Sequence, residues 1–131
     1  MKFTPRQIAL TGFSFLIAFI VSCSTHNQPR SAEATPMIAV LEAVKSGNLK
    51  NFKNAYSRRI KGDDVQSDWN KNLKEAKDNL SRLYGDFQLR DFAFAFEGDA
   101  VKGRLAISFK GTKQFDLAVI KEDGEWKLDE R

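Results

Sequence analysis

Few side chains in this 131-residue chain have the type and spacing to do chemistry. The only cysteine, Cys23, stands three positions before the only histidine, His26, and a thiol beside an imidazole is the raw material of a nucleophile and its base. Both fall in a segment without apolar periodicity, where no third group would orient them. A single cysteine also excludes an internal disulfide and any multi-cysteine metal site. Asp91, at the head of an aromatic run, is the carboxylate best placed to act as a general base, with Tyr84 or Tyr56 as hydrogen-bond donors beside it. Each has a simpler role, as an acid at the start of a strand or a half-buried helix residue, and structural residues outnumber perturbed ones. No catalytic set, metal site or cofactor is therefore expected. Tyr56, Trp69, Tyr84, Asp91, Phe92, Phe94 and Phe96 together could line a pocket for a small apolar or amphipathic molecule such as a lipid fragment. Packing competes with that pocket, because a domain of about a hundred residues needs most of those rings for its own core.

Charge narrows the partners. The formal net charge is +4, but Lys2 and Arg6 sit in an amino-terminal stretch with the layout of an export signal, and without them roughly +2 remains. The basic residues from Lys50 to Lys77 are interleaved with Asp63, Asp64, Asp68, Glu75 and Asp78, as on solvated helix faces. Nucleic acid is not indicated. After Lys2 and Arg6 comes the apolar run IALTGFSFLIAFIV, about 14 residues long and short of the ~20 that a permanent membrane span needs, so removal by cleavage is preferred to a retained anchor. The closing tetrad Ile20-Val21-Ser22-Cys23 resembles the lipobox of bacterial lipoproteins. That resemblance implies cleavage before Cys23 and acylation of its thiol, and two or more acyl chains hold a protein stably on a membrane. By resemblance to Gram-negative lipoproteins, Ser24 after the cysteine implies the periplasmic face of the outer membrane. An ordinary secretory signal with a chance cysteine is the alternative. The expected organisation is thus a signal peptide over residues 1–22, a flexible tether over 23–35 reaching roughly 20 Å, and one domain over 36–131.

Within that domain, Thr35-Pro36 reads as a helix start, with Ile38, Leu41 and Val44 on one face until Gly47. Asn48 caps a second helix carrying Leu49, Phe52, Ala55 and Tyr56 and running to about Ile60. Ser67 or Asp68 caps a third, with Trp69, Leu73, Ala76, Leu80 and Leu83 at steps of four and three, closed by Gly85 as a left-handed cap. The period then changes to two. Phe92, Phe94 and Phe96 alternate with Ala93 and Ala95; Phe87 and Leu89 lie on the other parity, so a bulge is expected near Arg90-Asp91. Three more strands follow, carrying Leu105, Ile107 and Phe109; Phe115, Leu117 and Val119; and Trp126 and Leu128. Their turns are expected at Glu97-Gly98-Asp99, Gly111-Thr112 and Asp123-Gly124. The fold class is α+β: three helices on one face of a four-stranded antiparallel meander, which must bury its aromatic face.

That order of elements, the helix restart Lys45-Ser46-Gly47-Asn48-Leu49 and the closing Val119-Ile120-Lys121-Glu122-Asp123-Gly124-Glu125-Trp126-Lys127-Leu128 resemble small bacterial lipoproteins with a cystatin-like, nuclear-transport-factor-2-like fold. The resemblance implies a curved sheet wrapped round a long helix as a cone, whose open end is a ligand pocket, an active site or a protein-binding surface in different members. A fold of that kind does not select a function. An interaction domain is preferred, working as a homodimer or with an envelope protein through the outer sheet face of Ala93, Ala95, Arg104, Ala106, Ser108 and Ala118; a small-ligand module is the alternative.

Overall fold

The computed structural model describes residues 31–63 and 68–131, so Cys23, His26 and the expected signal segment lie outside the described residues. Among the described residues four α-helices come first: α1 (Thr35–Ser46), α2 (Leu49–Asn54), α3 (Arg58–Asp63) and α4 (Trp69–Tyr84). Four strands follow, β1 (Phe92–Gly98), β2 (Lys102–Phe109), β3 (Thr112–Glu122) and β4 (Glu125–Leu128). They form one antiparallel sheet in the order β1-β2-β3-β4. The α+β class and the meander are as the alternating apolar pattern implies.

The second expected helix is two. Helical spacing continues through Leu49, Phe52, Ala55 and Tyr56, yet α2 stops at Asn54 because the next residues are taken by the far end of the chain. The Leu128 N–H donates to the Ala55 carbonyl and the Ser57 N–H to the Leu128 carbonyl, both at 2.8 Å, which makes Tyr56 and Leu128 an isolated parallel bridge. Long-range pairing here displaces the local i→i−4 bonds. The helix restarts at once: the fully buried Ser57 donates its hydroxyl to Asp129 Oδ1 (2.6 Å) and accepts the Ile60 N–H (3.3 Å) at the first turn of α3.

The other boundaries follow from caps. Packed structure begins before Pro36, since residues 32–34 form a 3₁₀ turn whose Ala34 is fully buried. Thr35 is itself helical and its side chain caps nothing. Asn48 Oδ1 accepts the Asn51 N–H, and Asp68 Oδ1 accepts those of Asn70 and Lys71, fixing the starts of α2 and α4. Gly85 closes α4 at φ 64°, ψ −141°, outside the left-handed helical region expected of it and in one open essentially to glycine alone. Leu83, placed on the apolar face by spacing, is 58% exposed; Tyr84 turns inward beside it. No bulge precedes β1, because residues 89–91 make a 3₁₀ turn instead. The register shift lies between β2 and β3 after Ile107, where Gln114 is the extra residue. The β2–β3 turn falls at Lys110-Gly111 (φ 48° and 85°), one residue earlier than expected; Asp123-Gly124 (φ 50° and 81°) is where the sequence puts it.

The sheet curls strongly. Phe96 on β1 and Trp126 on β4 are edge residues that a flat four-stranded sheet would hold about 14 Å apart, yet their ring centroids are 5.3 Å apart. Phe96 also lies over Gly103, where an added Cβ would sit 2.6 Å from its ring. Inside the curl, Leu105, Ile107, Val119 and Leu128 join Met37, Val40, Leu41 and Val44 of α1 in one buried cluster. The helix packed on β4 is therefore the first, while the long α4 lies across α1 and α2 and meets the sheet chiefly through Tyr84.

Candidate functional site

The seven residues expected to line one pocket occupy separate places. Tyr56 and Trp69 meet across the ends of α2 and α4 in a three-ring cluster with Phe52, at centroid distances of 5.4 to 6.0 Å. Tyr84 and Phe92 belong to a second cluster with Phe87 and Phe109, where α4 ends against the start of β1. Phe96 is in the contact with Trp126, and Phe94 packs partly buried against the core between these groups. Alternation along β1 put Phe92, Phe94 and Phe96 on one face, as found. Curvature then distributed the rings among different neighbours.

Asp91 has structural work. Its carboxylate accepts the Gln88 N–H (2.9 Å) while its own N–H donates to the Gln88 carbonyl (3.0 Å), closing the 3₁₀ turn that aims β1; its carbonyl accepts the Lys110 N–H. The spacing Gln88-x-x-Asp91 was the legible sign of this reciprocal cap. Burial pushes the Tyr56 hydroxyl up to about 12, with Arg131 acting weakly in the opposite sense, so it is a donor and not a base at neutral pH. Desolvation also raises Tyr84, whose hydroxyl donates to Gln114 Oε1 at 3.2 Å.

Beside the first ring cluster is a surface groove of about 450 Å³ lined by Phe52, Tyr56, Trp69, Asn72, Glu75, Ala76, Asn79 and Arg131. Among the described residues, Asn72 Nδ2 is buried without a hydrogen-bond partner. Asn72 and Arg131 were not foreseen. The amide lies three residues after Trp69 and four before Ala76, on the border of the apolar stripe, and that position was its only signal. A second groove, of about 360 Å³, runs between α1, α2 and the β3–β4 hairpin over Pro36, Ala39, Ala55 and Trp126.

The outer face of the sheet is unlike the inner one. Ala93 and Ala95 are exposed, Ala106, Ser108 and Ala118 half-buried. Arg104 pairs across it with Asp116 and, at 3.1 Å, with Glu130; the Arg104 hydrogen bond and then Lys113 hold the Asp116 carboxyl below its ordinary range. The two edges differ as well. β4 is covered by residues 55–57, whereas no strand or loop backbone among the described residues pairs with the outer edge of β1.

Among the described residues no group of three or more His, Cys, Asp and Glu side chains is arranged to hold a metal, and no helix is long and apolar enough to cross a membrane. Comparison with protein-family profiles, curated proteins and solved structures gave no match. What stands is the architecture: an α+β domain with an open four-stranded antiparallel sheet and several helices.

Proposed function

We propose that this chain is an exported lipoprotein, acylated at Cys23 and held at the periplasmic face of the outer membrane, whose cystatin-like domain is a non-catalytic interaction module. The lipobox-like Ile20-Val21-Ser22-Cys23 after an apolar run supports the anchor. The observation that carries the interaction reading is the outer sheet face, where exposed Ala93 and Ala95 continue into half-buried Ala106 and Ala118 and let a second surface come close.

Fractionation of the full chain tests the anchor. The parent protein is expected in the membrane pellet and to take up radiolabelled fatty acid, and Cys23→Ser is expected to lose the label and to remain unprocessed or become soluble. A cleaved Cys23→Ser chain retained on the membrane sinks it. For the interaction module, a photoreactive residue at Ala106 should give one discrete adduct in intact cells, against none at Lys77 on the solvent side of α4. Equal patterns at both positions would argue against the sheet face.

A second reading, a small amphipathic ligand in the groove beside Tyr56 and Trp69, is favoured by the unpartnered Asn72 amide. Medium-chain fatty acid should then raise the melting temperature of the parent chain and not that of Asn72→Leu.

A further inference from the structure

Three parts of the chain meet beside the Tyr56–Leu128 bridge, and each brings a hydrogen-bond donor to one groove. The first turn of α4 packs on α2, with Trp69 against Phe52 and Tyr56. Asn72, three residues further on, has its Nδ2 buried without a hydrogen-bond partner among the described residues. Tyr56 is positioned by the bridge itself, since the Leu128 N–H donates to the Ala55 carbonyl and the Ser57 N–H to that of Leu128. Arg131 is positioned by the two residues before it: the Asp129 N–H donates to the Ala118 carbonyl at 2.9 Å, and the Glu130 carboxylate accepts the Ala118 N–H at 2.7 Å. All three side chains line the groove of about 450 Å³.

The polar part of that lining is weighted toward donors. Asn72 Nδ2 lacks an acceptor, and a buried donor left unmet is costly. Burial keeps the Tyr56 hydroxyl protonated, and the opposing influence of Arg131 shows that the guanidinium charge reaches it. A guanidinium itself only donates. The acid in the lining, Glu75, has its charge met by Lys71 at 3.9 Å, and Asn79 Oδ1 already accepts from Arg82. Lys53 adds a cation 6.0 Å from the centre of the Trp69 ring. Phe52, Tyr56, Trp69 and Ala76 supply the apolar part. An occupant that satisfies this wall offers oxygen acceptors, a single negative charge and a short apolar body.

We infer that the groove receives a small organic carboxylate, its two oxygens shared among Asn72 Nδ2, the Tyr56 hydroxyl and the Arg131 guanidinium, with its apolar body against Trp69 and Ala76. The inference rests on the small-ligand reading and names the head group that the groove selects. One planar guanidinium fork suits a carboxylate. A phosphate dianion would bring a second charge toward Glu75, and an amine would meet Arg131 as a like charge. Binding also has a structural consequence. The ligand ties α4 to residues 55–57 and to the residue that follows Glu130, so it favours the state in which the bridge between Tyr56 and Leu128 is closed.

Amide hydrogen exchange of the full-length chain in phosphatidylcholine nanodiscs, followed at the Ser57 and Leu128 N–H groups, tests the assignment. The probes are hexanoate, hexanamide, hexylammonium and inorganic phosphate. Hexanoate should slow exchange at both amides. Hexanamide should need about ten-fold more for the same protection, because hydrogen bonds to a charged group are the stronger ones. Hexylammonium and phosphate should give none. Arg131→Gln, at an exposed position, should weaken hexanoate about ten-fold and leave hexanamide unchanged, whereas Asn72→Leu should weaken both. Equal protection by hexanoate, hexanamide and hexylammonium would leave the small-ligand reading standing and overturn the carboxylate. Phosphate matching hexanoate, or Arg131→Gln binding hexanoate as the parent does, would overturn it too. No protection by any probe would remove the inference and the small-ligand reading together.

Discussion

The first and last strands of the sheet are both edges, and they are finished differently. β4 is short, its outer side bonded to residues 55–57, its Leu128 fully buried and the following Asp129 tied to Ser57 and Arg59. β1 is longer, regular and uncharged along its aromatic core, with no backbone partner among the described residues on its outer side. One edge is built into the tertiary structure. The other is held by its ladder to β2 and by side chains, through Phe92 in its ring cluster and Phe96 against Trp126, with residues 32–34 beside it. Stability should accordingly concentrate at β4.

The hardest test of that contrast is Leu128→Ala, which empties a buried site at the covered edge and is expected to cost about 2–5 kcal/mol in urea unfolding. A loss no larger than that of an exposed substitution would show that residues 55–57 do not secure the edge. Alkali probes the same seam. The Tyr56 hydroxyl titrates near 12 in the folded protein against about 10 unfolded, so its protonated form is favoured by folding. The associated stability is fully present below pH 10 and is lost as pH rises toward 12, on the order of 2–3 kcal/mol, the equivalent of two pKa units. Tyr56→Phe should flatten that limb of the stability profile, and an unchanged limb would locate the alkaline loss elsewhere. The smallest effect is expected on the outer side of β1: Ala95→Lys, at an exposed position, should change unfolding free energy by no more than about 0.5 kcal/mol. A large destabilisation there would mean that this side of β1 is covered.

Much of the fold was legible because its signals are local. Gly47, Asn48 and Asp68 mark helix ends through their own backbone or side-chain geometry, and Asp123-Gly124 specifies its turn without help from elsewhere. The missed features are long-range. Nothing near Ala55 announces that Leu128 will claim it, and helical spacing at Tyr56 argues for the wrong partner. The proposed pocket failed to assemble for a related reason: a period of two assigns Phe92, Phe94 and Phe96 a face but carries no curvature, and curvature sent each ring to a different neighbour. Asp91 was read as an acid at the start of a strand, and the bond with which it closes a turn onto Gln88, three residues before it, was missed. The Asn72 amide was harder to see, since its significance depends on Arg131, Tyr56 and Trp69 gathering round it from three parts of the chain.

The bridge between Leu128 and the strand of chain beside Tyr56 also orders events in time. During synthesis the helices and three strands exist before residue 128 does, yet Ala55 and Ser57 have no backbone partner there until it arrives, and Phe96 has no Trp126 to close on. Loop closure across some seventy residues is a late and comparatively slow step. The domain therefore finishes folding only once β4 has been made and can reach the segment beside Tyr56.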